Sequence, residues 1–216
     1  MTELSNQSII EARIKAISAL SPCDFADALA IEQFVNPGIV SLWQPSPKIV
    51  GRAFTVDCPQ GDHLMFHAAI YRAALGDIIV AKGDPRFALA GGNVCAIAKS
   101  RGIAGFIVDG MVRDLAEIRA MEFAVFARGV IPKPGAKKQL GHLNGVIDCG
   151  GVSVSNGDYV VADEEGIAII PEAEVDSVIG IASARAHSDA NTSLNDWQKK
   201  HQQTVQNALN KLGFTE

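Results

Sequence analysis

The stretch GIAGFIVDGMVRD, residues 102–114, decides the fold of this 216-residue chain. Its first part, Ile103 to Val108, is almost wholly apolar, which is typical of a strand that is buried on both faces of a sheet. A helix is predicted over Val94 to Ser100 before this strand, and a short one to about Met121 after it. The alternation predicts an α/β fold with a mainly parallel sheet and right-handed crossovers.

The flanking segments continue the same alternation in both directions. The predicted strands are Ile49–Asp57, Asp77–Ala81 and Phe123–Ala127, and the predicted helices are Ser8–Leu20, Ser21 to about Ile31, and Leu64–Leu75. The segment Lys82–Leu89 is predicted to be a loop. The helix that starts at Ser21 is indicated by an N-cap serine followed by proline at the first helical position.

The second half of the chain has a different pattern. Residues 146–170 are rich in β-forming segments, and Asn156-Gly157 is a strong signal for a hairpin turn. Pro171 is expected to open a helix. Residues 1–190 are therefore predicted to form a single α/β domain, because no linker or repeat divides them.

The tail, residues 191–216, is predicted to form an amphipathic helix that packs on this core or on a neighbouring subunit. Its apolar and aromatic side chains share one helical face and are Trp197, His201, Val205, Ala208, Leu209 and Leu212, with Gly213 at the end.

Composition narrows the class of protein. The net charge of −5 and the scattered Lys and Arg residues argue against a nucleic-acid-binding surface. No apolar run reaches the roughly 18 residues that a membrane span needs. Four isolated cysteines without a CxxC pair fit reduced thiols, and the polar N-terminus lacks the pattern of a signal peptide. These features predict a cytoplasmic protein with no membrane or nucleic-acid partner.

Arg113 and Asp114 are the leading candidates for chemistry. They follow the central strand at its carboxyl end, where open α/β sheets bind ligands. Arginine presents a planar fork to a carboxylate or oxo group, and aspartate is a hard oxygen ligand suited to Mg²⁺ or Mn²⁺. The alternative is a surface ion pair in which Asp114 caps the next helix.

Two further features accompany this pair. Gly91-Gly92 precedes a helix whose free N–H groups could hold a carboxylate or phosphate, although a plain tight turn is the alternative. His63 and His67 lie one helical turn apart, a spacing that can bind zinc. Without a third ligand motif, surface or packing histidines are favoured.

Several blocks resemble the RraA-like family, which includes 4-hydroxy-4-methyl-2-oxoglutarate aldolases and RNase E regulators. These blocks lie between about residues 21 and 171 in consistent order, and are CDFADAL (23–29), GDHL (61–64), GDIIV (76–80), residues 102–114, GGV (150–152) and Gly157-Asp158. The resemblance implies a compact RraA-like α/β sandwich with a parallel βαβ core, a β-rich second half and a C-terminal helix. It also implies homotrimers or homohexamers with active sites between subunits.

The resemblance also implies roles for residues of the candidate site. Asp114 would hold Mg²⁺ or Mn²⁺, and Arg113 would contact the 2-oxo group of a pyruvate-like unit. The substrate carboxylate would bind at the helix start, which comprises Gly91, Gly92, Asn93, Val94 and Cys95, and His63 would also contact substrate. The implied enzyme is a class II, metal-dependent pyruvate aldolase or oxaloacetate decarboxylase, a carbon–carbon lyase that acts on small 2-oxo dicarboxylic acids.

This sequence departs from the aldolase pattern at two positions. Aldolases of the family have an acidic residue 21 positions before the arginine, where this chain has Gly92, and His63 stands where asparagine is common. Aldol cleavage needs a base and decarboxylation does not, so we expect decarboxylation to be better retained. The alternatives are a non-catalytic regulator of a ribonuclease, for which Glu117 fits an acidic helix, and a lyase or isomerase of a sugar-derived acid.

Overall fold

The computed structural model describes residues 3–214, with side chains from residue 6 onward. Its helices are α1 (Glu3–Ser18), α2 (Leu64–Ala69), α3 (Gly92–Ser100), α4 (Leu115–Ala120), α5 (Val175–Ala190) and α6 (Leu194–Lys211). Its first six strands are β1 (Val40–Ser41), β2 (Ile49–Asp57), β3 (Ile78–Lys82), β4 (Ala88–Ala90), β5 (Gly105–Val112) and β6 (Val125–Val130). The remaining strands are β7 (His142–Leu143), β8 (Ile147–Cys149), β9 (Val152–Val154), β10 (Tyr159–Asp163) and β11 (Gly166–Ile170).

The main sheet has the order β1-β6-β5-β3-β2-β10-β11, and β4 and β7 pair with β5 and β2. The neighbours β6, β5, β3 and β2 are mutually parallel, as the helix–strand alternation predicts. Strands β1, β10 and β11 pair in antiparallel fashion, and β8 and β9 form a separate two-stranded sheet. The predicted mainly parallel sheet is therefore confirmed.

Both faces of the central strand are buried, as its apolar sequence predicts. Phe106 and Val108 point into one core cluster together with residues of α2, α3 and α4. Ile107, between them, belongs to a second cluster under β8 and β9. Successive side chains of a strand point to opposite faces, so an uninterrupted apolar run is what a doubly covered strand requires.

Two predicted helices are shorter than expected. After Ser21 the chain forms a 3₁₀ turn, Pro22–Phe25, and then continues in turns, with Phe25 and Leu29 buried in the core. Asp24 still accepts a hydrogen bond from the Ser21 N–H at 2.7 Å, so the capping signal is real although the helix stops. Helix α2 ends at Ala69, and Arg101 donates to the Ile70 carbonyl at 2.6 Å just beyond it.

The Asn156-Gly157 hairpin prediction is wrong. The turn joins β9 to β10, but these strands do not pair, because the turn bonds to β2 instead. The Gly157 N–H donates to the Ala53 carbonyl at 2.8 Å, and the Ala53 N–H donates to the Asp158 backbone carbonyl at 2.7 Å. The observed hairpins are β8–β9, through Gly150-Gly151, and β10–β11. Helix α5 also starts four residues after Pro171, because a turn intervenes.

Candidate active site at the carboxyl end of β5

Strand β5 runs to Val112, four residues beyond its predicted end, so Arg113 and Asp114 follow it directly. The segment predicted as a loop contains β4, which lies parallel to β5 and ends just before Gly91. The Arg113 N–H donates to the Ala90 carbonyl at 2.9 Å, which joins the two strand ends. The structure thus brings the Arg113-Asp114 pair and the glycine turn to one edge of the sheet.

Asp114 is the N-cap residue of α4 but does not cap it through its side chain. Its Oδ2 atom instead accepts the Gly92 N–H at 3.0 Å, from the start of α3, and lies 3.5 Å from Arg113 Nε. Its backbone is left-handed, with φ 60°, a conformation that aspartate tolerates and that often occurs at functional sites. Because the Asp114 side chain contacts α3, Asp114 is not only the N-cap of α4, which was the alternative that the sequence left open.

Glu117 is the acidic residue that sequence reasoning did not place in the site. A Cβ atom built on Gly92 would overlap Glu117 Oε2, and one built on Gly91 would overlap Asp114 Oδ2. The two carboxylates therefore lie against two adjacent glycines. The contact of Glu117 with Gly92 depends on the packing of α4 against α3, so no spacing pattern in the sequence indicated it.

These carboxylates provide a donor set that fits Mg²⁺ or Mn²⁺. Both ions prefer oxygen ligands and retain several waters, so one or two protein carboxylates suffice. In its present position Glu117 depends on glycine at position 92, because a side chain there would overlap its Oε2 atom. Within residues 3–214 no group of three or more His, Cys, Asp or Glu side chains converges.

A small cavity adjoins Arg113 and Asp114, whose side chains are 42% and 36% exposed. It is also lined by His63, His67, Ala88, Leu89, Ala90, Gly91, Asn93, Val94 and Pro134. The rings of His63 and His67 lie 4.3 Å apart between centroids. Both histidines therefore reach the cavity, whereas the sequence favoured a packing or surface role for His67.

The N–H groups at the start of α3 are of two kinds, those with a hydrogen-bond acceptor and those without an intrahelical one. The Gly92 N–H donates to Asp114, and the Cys95 N–H donates to the Gly91 carbonyl at 3.0 Å. Asn93 and Val94, at the second and third helical positions, have no intrahelical acceptor for their N–H groups. Cys95 is buried, which raises the pKa of its thiol to about 12, so it packs as a neutral thiol.

One wall of the cavity is a loop that is held in place by hydrogen bonds to Asp62. The buried Asp62 carboxylate accepts N–H bonds from Leu64 at 2.8 Å, Lys138 at 2.6 Å and Gln139 at 3.1 Å. Burial raises the pKa of Asp62, but these donors outweigh it and hold the pKa below its usual value. The loop carries Lys137, whose charge contributes to lowering the pKa of both cavity histidines.

The fold and the cavity define an α/β protein with a cationic and carboxylate-bearing site beyond its parallel strands. Residues 22–169 match the RraA-like family, described as Aldolase/RraA, and the chain belongs to this family. The resemblance drawn from the sequence is therefore confirmed. Among residues 3–214 no helix has the length and hydropathy to cross a membrane.

The chain is similar to several named proteins. A candidate 4-hydroxy-4-methyl-2-oxoglutarate aldolase of Halalkalibacterium halodurans is 40% identical over 144 residues, which cover 66% of this chain and 69% of that protein. The aldolase of the same name from Thermus thermophilus is 38% identical over 90 residues, 42% of this chain and 55% of that protein.

Two solved structures resemble the fold. The RNA-processing inhibitor RraA from Thermus thermophilus has a TM-score of 0.59 at 28% identity, with coverage of 64% of this chain and 85% of that chain. An uncharacterised Pseudomonas syringae protein has a TM-score of 0.76 at 21% identity, with coverage of 88% and 94%, and shows the fold alone. The predicted RraA-like α/β fold is thus confirmed.

Proposed function

We propose that this protein is a divalent-metal-dependent lyase that cleaves a carbon–carbon bond in 2-oxo dicarboxylic acids through a pyruvate enolate. The observation that carries the proposal is the approach of Asp114 and Glu117 to the Gly91-Gly92 turn, beside Arg113. The aldolase names among its relatives support the same reaction class. Oxaloacetate and 4-hydroxy-4-methyl-2-oxoglutarate are the proposed substrate types.

Each polar group of the site has a role in this proposal. Asp114 and Glu117 would hold Mg²⁺ or Mn²⁺, which when bound supplies a Lewis acid for the 2-oxo oxygen. Arg113 donates to the same oxygen as negative charge develops on it, and a donor of this kind is typically worth about 3–4 kcal/mol. The Asn93 and Val94 N–H groups bind the substrate carboxylate at the positive end of α3.

The position of Glu117 also bears on the regulator alternative. Glu117 is solvent-exposed, and its Oε2 atom lies beside Gly92 at the start of α3, where Asp114 also accepts a hydrogen bond. It stands where the acid of the family's aldolases would extend from position 92. We therefore propose that Glu117 takes the place of that acid as a group that holds the metal, not as the base of aldol cleavage, and that the site is catalytic.

A coupled assay tests the proposal. Pyruvate released from oxaloacetate is followed with lactate dehydrogenase, with Mg²⁺ or with EDTA, and the protein-free rate at the same Mg²⁺ concentration is subtracted. We expect EDTA to abolish the enzymatic rate and Arg113→Ala to lower kcat by roughly 100- to 1,000-fold. Arg119→Ala, at an exposed position of the neighbouring helix α4, is the matched control. Metal-independent release, or full activity of Arg113→Ala, would contradict the proposal.

A further inference from the structure

Aldol cleavage makes a demand that the groups assigned so far do not meet. A base must take the proton from the substrate hydroxyl before the carbon–carbon bond breaks. Arg113 offers only hydrogen-bond donors and no acceptor, and Asp114 and Glu117 are assigned to the metal. Of the side chains that line the cavity, His63 and His67 remain as groups able to accept a proton near neutral pH.

The hydrogen bonding of His63 fixes its tautomer. Its Nδ1 atom lies 3.2 Å from the Ala88 carbonyl oxygen, at the start of β4. A carbonyl oxygen only accepts, so Nδ1 carries the hydrogen. In the neutral ring Nε2 then has a free lone pair, which is the state that a general base requires.

The Nε2 atom of His63 is accessible. It has no hydrogen-bond partner among the described residues. Among the described residues, the fully buried side-chain nitrogen and oxygen atoms that lack a hydrogen-bond partner are Ser46 Oγ and Tyr159 Oη. His63 Nε2 is not one of them, so this atom is not fully buried. Because His63 is only 8% exposed and lines the cavity, Nε2 is reached from the cavity.

The surroundings keep His63 neutral. Burial lowers the pKa of His63, and the charges of Lys137 and Arg113 lower it further, whereas the bond to Ala88 and the charge of Asp62 oppose the shift. The neighbouring His67, whose ring is tilted by 34° to that of His63, is a weaker base, because burial and nearby positive charge lower its pKa to about 4. His63 is therefore the better placed proton acceptor of the two.

We propose that His63 is the general base that takes the hydroxyl proton of a 4-hydroxy-2-oxo acid during aldol cleavage. Nε2 accepts the proton from the C4 hydroxyl, the C3–C4 bond breaks, and C4 becomes the carbonyl carbon of the first product. The electron pair of the broken bond forms the enolate of the second product. The imidazolium then returns its proton to C3, which yields pyruvate and restores the neutral ring.

This inference rests on the proposed lyase function but can fail separately from it, because decarboxylation breaks a different bond and needs no base. The decisive variant is His63→Asn, whose amide can still donate to the Ala88 carbonyl and thus preserve the local fold. We expect aldol cleavage of 4-hydroxy-4-methyl-2-oxoglutarate to fall by roughly 100-fold or more, with oxaloacetate decarboxylation close to the wild-type rate. His142→Asn, on exposed β7, is the control and should change neither rate.

A second readout needs neither metal nor turnover. In the metal-free protein at neutral pH, long-range ¹H–¹⁵N NMR should show His63 as the Nδ1–H tautomer. In the loaded enzyme, the aldol rate should fall as the pH drops through the His63 pKa, and decarboxylation should lack this limb. The charged groups that act on this pKa are Lys137, Asp62 and Arg113, while the His67 ring lies beside His63 and Asp114 also lines the cavity.

The outcomes separate the two proposals. An Nε2–H tautomer, an unchanged aldol rate in His63→Asn, or an equal loss of both activities would overturn the role of His63 and leave the lyase proposal standing. Decarboxylation by the wild type without any aldol cleavage would do the same. A wild-type protein with neither metal-dependent activity would overturn the lyase proposal itself.

Discussion

Gly92 and Glu117 compete for one volume in the site. A side chain at position 92 would collide with Glu117 Oε2, although Glu117 is flexible and can swing away. We propose that Glu117, in the first turn of α4, supplies the carboxylate that the resemblance to the family's aldolases places at position 92. In this proposal the same carboxylate function reaches the site from either of two helices that pack against each other.

This exchange leads to a prediction about metal affinity. Glu117→Gln should weaken Mn²⁺ binding by at least tenfold, because one of two carboxylates is neutralised, and Gly92→Asp alone should displace Glu117 and also weaken binding. Combining Gly92→Asp with Glu117→Ala should recover much of the wild-type affinity, measured by electron paramagnetic resonance of free Mn²⁺. If Glu117→Gln binds Mn²⁺ as the wild type does, Glu117 is not a ligand.

The segment that follows β6 forms part of the site because hydrogen bonds attach it to β4 and to the start of α2. The segment after β6 is bonded to β4 through the Ala88 N–H and the Lys133 carbonyl, at 2.8 Å. It is also bonded to the start of α2, where the His63 N–H donates to Ala136 at 2.9 Å. Asp62 adds bonds to Lys138 and Gln139, so this segment is a fixed wall.

Asp62→Asn should loosen that wall. In the wild type the backbone N–H donors meet a carboxylate oxygen, whereas in the variant some of them would face the NH₂ group of Asn, which cannot accept. We therefore expect the free energy of unfolding, measured in urea, to fall by about 1–3 kcal/mol. Amides of residues 135–139 should also exchange faster with solvent. Asp148→Asn, on an exposed strand residue, is the control. Unchanged exchange in Asp62→Asn would show that the carboxylate does not hold the loop.

The same carboxylate predicts a pH dependence. Because the folded-state pKa of Asp62 is depressed, its contribution to stability is fully present above the unfolded value of about 3.9 and is lost as the pH falls through the folded pKa. The difference in unfolding free energy between wild type and Asp62→Asn should therefore shrink with acidification below about pH 4. A difference that stays constant down to the acid limit of the folded state would contradict this assignment.

At the scale of the molecule, α6 has an apolar face but buries none of its side chains against the rest of the described chain. Trp197 is 50% exposed and Leu212 is 83% exposed, and Trp197 stacks only on His201 within the helix. Exposed apolar faces of this kind usually mark contacts with other chains. We propose that α6 packs on a neighbouring subunit of a homotrimer or hexamer, as the resemblance implies.

Trp197→Glu should therefore lower the molar mass measured by light scattering, whereas Gln203→Glu, on the opposite face of α6, should not. The far-ultraviolet circular dichroism of both variants should match the wild type, because α6 contributes no side chain to the core clusters of the chain. A wild-type protein that is monomeric at micromolar concentration would contradict the proposed assembly.

Sequence patterns were sufficient where the determining physics is local or repeats along the chain. The apolar run from Ile103 to Val108 fixed a strand covered on both faces, and its carboxyl end located Arg113 and Asp114. The strand Ile49–Asp57 was bounded correctly because its apolar pattern extends over the whole element. Family membership followed from motifs in consistent order.

Only the tertiary structure decided the contacts between segments that are distant in sequence. The overlap of Glu117 with the space above Gly92 depends on how α3 and α4 pack, and no spacing rule within one helix encodes that. The tautomer of His63 depends on a carbonyl 25 residues away in β4, a strand whose three residues read as loop until they pair with β5. The Asn156-Gly157 turn bonded to β2 rather than forming a hairpin, because the hydrogen-bond partners on β2 outweighed the local turn preference.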